Sequence, residues 1–111
     1  MMAVVLIDDD AAVCRVFERI LTRADIEVVT FTDPERAIEY INANRCQFVI
    51  CDYRMPTMSG RAVRERIEGD VRFALISGDL SVEVLPGPGI DHVLRKPIPA
   101  EELVAFVRGS L

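Results

Sequence analysis

The sequence has a single histidine, His92, and only three cysteines, Cys14, Cys46 and Cys51. No cysteine or second histidine stands at metal-ligand spacing from His92, which excludes a structural zinc site of the usual type. Three cysteines with no C-x-x-C pair give no disulfide framework, so reduced, buried thiols are expected, two of them inside predicted elements. Basic charge is also short: a formal net charge of −5 argues against a nucleic-acid footprint, which needs a basic patch or stripe. No apolar run approaches the length of a membrane span. The opening Met1-Met2-Ala3-Val4-Val5-Leu6-Ile7 lacks a basic flank and runs straight into three aspartates, unlike a signal peptide. Internal repeats, low-complexity tracts and interdomain linkers are missing as well. What remains is near-average composition, 50% hydrophobic and 28% charged over 111 residues. The expectation is one cytoplasmic domain, residues 1–111, large enough to bury a single core.

The stretch that organises the chain is Phe48 to Gly60: four apolar residues, Asp52, a loop holding Pro56, and a glycine. A short continuous apolar run is how a strand buried on both faces of a parallel sheet reads. An acid at its end falls outside the carboxyl ends of the strands, where open α/β sheets place their chemistry. Pro56 cannot donate to a ladder, so the strand has ended by then, and Gly60 suits a sharp turn into a helix. Ala3 to Ile7 predicts a second central strand, ending in Asp8, Asp9 and Asp10. Val13, Val16, Phe17, Ile20, Leu21 and Ala24 recur at helical spacing, with Asp10 as the cap. Glu27 to Phe31 predicts an edge strand, and Asp33-Pro34 opens a helix to about Ala43.

A short helix is expected from Arg61 to Glu68, closed by Gly69, and a fourth strand from Arg72 to Ile76, ending at Ser77-Gly78. Ser81 to Leu85 has room for one helical turn before Pro86-Gly87-Pro88-Gly89 stops it. His92 to Arg95 is the fifth strand, Lys96-Pro97 follows, and a last helix runs from Pro99 or Ala100 to about Arg108. Strands alternating with helices predict βαβ units and a doubly wound parallel sheet.

Asp8, Asp9, Asp52, Ser77 and Lys96 then converge from distant segments on one sheet edge. Taken singly, each is more often a cap, a turn residue or a solvated charge; the joint placement reverses that judgement. Three crowded carboxylates repel one another. A hard divalent cation with oxygen ligands relieves the repulsion, and Mg²⁺ is commonly held by one or two carboxylates with waters and phosphate oxygens. Asp8, Asp9 and Asp52 carry −3, which Mg²⁺ and Lys96 balance with +3. Such a neutralised site admits an anionic phosphoryl donor, and a carboxylate can serve as nucleophile to form an acyl phosphate.

Leu6-Ile7-Asp8-Asp9-Asp10, Asp52-Tyr53-Arg54-Met55-Pro56 with Met58-Ser59-Gly60, Ile76-Ser77-Gly78 and Lys96-Pro97 resemble the receiver domains of bacterial two-component response regulators over essentially the whole chain. The resemblance implies a five-stranded, flavodoxin-like parallel sheet of order 2-1-3-4-5, as in chemotaxis regulators. It implies that Asp52 accepts a phosphoryl group from a histidine kinase or histidine phosphotransfer protein. Asp9, Asp52 and the Arg54 carbonyl would bind Mg²⁺ directly and Asp8 through a water. Ser77 would hydrogen-bond the phosphoryl group, Lys96 would pair with it, and Lys96-Pro97 would be a cis junction. Arg54 and Asp79 would tune the lifetime of the acyl phosphate. The activity implied is a switch with self-catalysed transfer and slow autodephosphorylation, not a turnover enzyme.

The chain departs from this pattern twice. Val93 stands where receivers carry Tyr, Phe or His three residues before the lysine, with His92 expected on the opposite strand face. The short segment around Pro86-Gly87-Pro88-Gly89 predicts a shortened or missing fourth helix in the family's count, and with it an altered output surface. The alternative reading is a receiver-like docking or dimerisation module that phosphorylation does not regulate. A Mg²⁺-dependent aspartyl phosphatase ranks last, because Arg54 occupies the place of its second acid and no chain is left for a cap domain. The sequence ends just after the last helix, so no effector domain is expected within it, and nothing in it names a kinase, an output or an oligomeric state.

Overall fold

In the computed structural model, residues 4–78 and 86–110 are described. Five strands, β1 (Val4–Ile7), β2 (Val28–Phe31), β3 (Phe48–Asp52), β4 (Arg72–Ser77) and β5 (His92–Arg95), alternate with α1 (Ala11–Arg23), α2 (Pro34–Ala43) and α3 (Gly60–Arg66), and α4 (Ala100–Ser110) follows β5. The strands form one parallel sheet in the order β2-β1-β3-β4-β5. This is the doubly wound, flavodoxin-like architecture expected from the sequence. Among the described residues there are four helices, and none lies between β4 and β5, which fits a shortened or missing helix there. The helical turn expected over Ser81 to Leu85 lies outside the described residues.

The central strands read as continuous apolar runs because both sheet faces are covered. Val5, Ile7, Val49, Cys51, Phe73 and Leu75 face α2 and α3, whereas Val4, Leu6, Phe48, Ile50, Ala74 and Ile76 face α1 and α4. Within α1, Cys14, Phe17 and Leu21 are buried, but Val16 is exposed although its spacing fits the helical repeat. Asp10 caps α1, its Oδ1 accepting from Ala12 N at 2.9 Å and Val13 N at 3.4 Å. Asp33 accepts from Glu35 N at 3.0 Å, and Pro34 sits at the start of α2 as its fixed φ allows.

Some boundaries moved. Helix α3 starts at Gly60 and ends at Arg66 rather than Glu68, because Ile67 turns extended and buries its side chain in the core. Gly69 then adopts a left-handed φ of 79°. Strand β4 continues through Ser77, and α4 continues to Ser110. Phe106 on the last helix is half-buried, its ring 5.6 Å from Phe48 and 5.0 Å from His92. The cysteines are free thiols, with Cys14 and Cys51 buried. Among the described residues no helix is long and apolar enough to cross a membrane.

Candidate functional site

Register brings the acids together. Ile7 is paired with Cys51, so the next residues, Asp8 and Asp52, emerge side by side at the carboxyl ends of β1 and β3. Both are buried. Asp8 is held in place by its backbone, whose N–H donates to Phe31 O at 3.1 Å. Its Oδ1 accepts from the backbone N–H of Asp10 at 2.9 Å. Asp9 is exposed beside them, and one carboxylate oxygen from each of Asp8, Asp9 and Asp52 lies within 4.8 Å of the others.

Lys96 reaches this cluster from the end of β5. Its backbone N–H donates to Ser77 O at 2.9 Å, which ties the lysine segment to the end of β4. The ammonium donates to Asp8 Oδ2 at 2.9 Å and to Asp52 Oδ1 at 3.4 Å. The Lys96–Pro97 peptide is cis, as the motif implied. Ser77 is buried one residue beyond Ile76, the register partner of Asp52. Arg54 is exposed in the loop after β3, its guanidinium 6.0 Å from the centre of the Tyr53 ring. Thus Asp8, Asp9, Asp52 and Lys96 meet, Ser77 and Arg54 border them, and Asp79 lies outside the described residues.

Electrostatics follow from the crowding. Burial, then the charge of Asp8, pushes the Asp52 carboxyl up from 3.8 to about 6, against the pull of Lys96 and with a smaller push from Asp9. Burial draws the Lys96 ammonium down, but the hydrogen bond and charge of Asp8, with the charge and hydrogen bond of Asp52, outweigh it and hold the ammonium above its ordinary range. The donor set is all oxygen, it is over-supplied with negative charge, and Asp9 leaves it open to solvent. These are the properties that suit a hard divalent cation.

The loop after β3 is equally determined. Tyr53 N donates to Ile76 O and Gly60 N to Tyr53 O, both at 2.8 Å, folding the loop back on the strand end. A Cβ on Gly60 would lie 2.7 Å from Asp52 O and 2.5 Å from Leu75 Cδ2, so only glycine fits. Ser59 caps α3 through Ala62 N at 3.1 Å. Two supports had no signal of their own in the sequence. The N–H of Asp10, noticed only as a helix cap, also fixes Asp8, and the Cys14 thiol lies 3.3 Å from Asp8 O, close enough to donate to it. Burial, then Asp8, pushes that thiol up to about 11, so it stays protonated and able to donate. At β5, Val93 packs toward α2 and α3 while His92 lies on the other face against Phe106, as alternation predicts.

Comparison with known proteins follows the same lines. The sequence profile of the response regulator receiver domain matches residues 4–108. The probable transcriptional regulator ycf27 of Cyanophora paradoxa is 27% identical over 97% of this chain and 47% of its own length. The two-component response regulator ORR21 of Oryza sativa subsp. indica is 31% identical over 92% of this chain and 16% of its own. The chain therefore spans about half or less of the length of these relatives. Among solved structures, the receiver domain of the hybrid histidine kinase CckA superposes with a TM-score of 0.84 at 25% identity, covering 98% of each chain. An uncharacterized protein from Neptuniibacter caesariensis gives 0.86 at 28% identity, covering 98% of this chain and 86% of that one. With sheet order, acidic cluster, lysine and profile in agreement, this chain belongs to the response regulator receiver domain family.

Proposed function

We propose that the chain is a phosphoacceptor switch of a cytoplasmic phosphorelay, with Asp52 as the residue modified. The observation that carries this reading is the Asp52 carboxylate, buried at the end of β3 within hydrogen-bond reach of Lys96 and beside Asp8 and Asp9. An oxygen of the Asp52 carboxylate forms a bond to phosphorus while the P–N bond of a phosphohistidine donor breaks, and the imidazole, already protonated on its other ring nitrogen, leaves as the neutral ring. Water later cleaves the acyl phosphate, returning the carboxylate and inorganic phosphate.

Asp9, Asp52 and the Arg54 carbonyl are the proposed direct ligands of Mg²⁺. Asp8, whose two oxygens already accept from Asp10 N and Lys96 Nζ, suits a role through water. Bound there, the cation supplies charge neutralisation for an incoming phosphoryl group. In this reading Lys96 exchanges part of its pairing with Asp52 for a phosphoryl oxygen, and the Ser77 hydroxyl donates to another. The partners are a histidine kinase or a histidine phosphotransfer protein.

A docking module indifferent to phosphorylation remains the second reading, favoured by Pro86-Gly87-Pro88-Gly89 standing where the family finishes its fourth helix. The test is transfer from a ³²P-labelled histidine phosphotransfer protein with Mg²⁺. Label on wild type, none on Asp52→Asn and strongly slowed labelling of Lys96→Ala is the expected result. Equal, negligible labelling of all three would leave the docking reading.

A further inference from the structure

Both buried acids of the cluster have a thiol on their backbone carbonyl. The Cys14 thiol donates to Asp8 O at 3.3 Å, and at 3.8 Å it also meets Phe31 O, the carbonyl that accepts from Asp8 N. The Cys51 thiol donates to Asp52 O at 3.4 Å. Both cysteines are buried, and they come from opposite sides of the sheet. Cys14 belongs to the layer under α1 and α4, Cys51 to the layer under α2 and α3. Cys46, the third thiol, stands before the amino end of β3, at the far edge of the sheet.

These contacts fall where strand gives way to loop. Asp8 lies one residue past β1, and Asp52 is the last residue of β3. A buried carbonyl needs a donor, and a strand end that shifts takes its carboxylate with it. A thiol is protonated at neutral pH, packs as a small apolar group and still has one weak hydrogen to donate, so it suits a core position under a carbonyl. The carboxylates are held at the open side of the site, Asp8 by Asp10 N and Lys96 Nζ, Asp52 by Lys96 Nζ. The thiols hold the same two residues from the core. Groups that orient ligand-bearing residues govern metal affinity without touching the ion.

We propose that Cys14 and Cys51 are positioning residues of the acidic site, their thiols holding the Asp8 and Asp52 backbone in the arrangement that binds a divalent cation. The inference rests on the reading of that site as a Mg²⁺ centre. It is tested by Mg²⁺ titration calorimetry of the intact, reduced chain, with thermal melts to check that each variant is folded. Serine and alanine leave nearly equal voids in place of the sulfur, and only serine keeps a donor. Cys14→Ala and Cys51→Ala are each expected to weaken Mg²⁺ binding about three- to tenfold, with the serine variants within about twofold of wild type. Cys46→Ala leaves the affinity unchanged. In wild type, the infrared S–H stretching bands that vanish in Cys14→Ser and in Cys51→Ser lie below the free-thiol position, as donating thiols require. Alanine and serine variants that bind alike at either position, or S–H bands at the free-thiol position, overturn the proposal. Wild type that binds no Mg²⁺ overturns it together with the metal site. Mg²⁺ affinities in the expected order, with no phosphoryl adduct on wild type from acetyl phosphate, support the thiols' role and contradict the phosphoacceptor reading alone.

Discussion

Burial and the neighbouring Asp8 raise the Asp52 carboxyl from 3.8 to about 6, so the folded chain binds that proton more tightly than the unfolded one. Stability conferred by this group is complete below the unfolded value and is lost as pH rises through about 6. In metal-free protein, Asp52→Asn removes the penalty. It is expected to be more stable than wild type by about 1–2 kcal/mol near pH 7, with the gap closing toward pH 4, as thermal melts in a chelator would read. Lys96 has the opposite effect. Its raised ammonium contributes stability below its unfolded value of 10.5, lost as pH climbs through the higher folded one. Lys96→Ala leaves Asp8, whose side chain is 3% exposed, without its counter-charge. A loss of about 2–3 kcal/mol in urea denaturation at neutral pH is expected, part of it recovered by added Mg²⁺.

At the level of elements, α3 is bound to its surroundings by side chains that sequence spacing does not reveal. Arg64 donates to Gly89 O at 2.9 Å, Ile67 O at 3.2 Å and Gly69 O at 3.3 Å, so one guanidinium joins the end of α3 to the loop before β5. Gly89 has a left-handed φ of 77° and leaves no room for a Cβ beside that side chain. Gly60→Ala would force its methyl against Asp52 O and Leu75. A destabilisation of about 2–3 kcal/mol is expected, with slower acquisition of phosphate because the Asp52 loop moves, measured by denaturation and by phosphorylation rate. The strands and the α1 and α2 caps were legible because apolar runs, Asp10 and Asp33-Pro34 act locally. The early end of α3 was not, since Ile67 leaves the helix for a core assembled from distant segments. Nor was the exposure of Val16, whose spacing matches its buried neighbours and whose fate depends on how α4 packs.

For the whole molecule, parallel order 2-1-3-4-5 gathers the ends of β1, β3, β4 and β5 at one edge; Asp8 and Asp52 were legible because each directly follows an apolar run, and Lys96 because it stands between the last strand and Pro97. Their mutual distances were not: that Lys96 lies closer to Asp8 than to Asp52 depends on the packing of β5. The face opposite α2 and α3 carries the second large-scale feature, the groove between α1 and α4. Divalent cation is expected to raise the melting temperature of wild type and to do so much less in Asp9→Asn, which keeps the buried pair but loses the exposed ligand. The central claim, that Asp52 is the phosphoacceptor, is tested most directly by intact-protein mass after incubation with acetyl phosphate. A single phosphoryl adduct that requires Mg²⁺, disappears in chelator and is absent from Asp52→Asn is the predicted result. An adduct that persists in Asp52→Asn, or none on wild type with Mg²⁺ present, would contradict it.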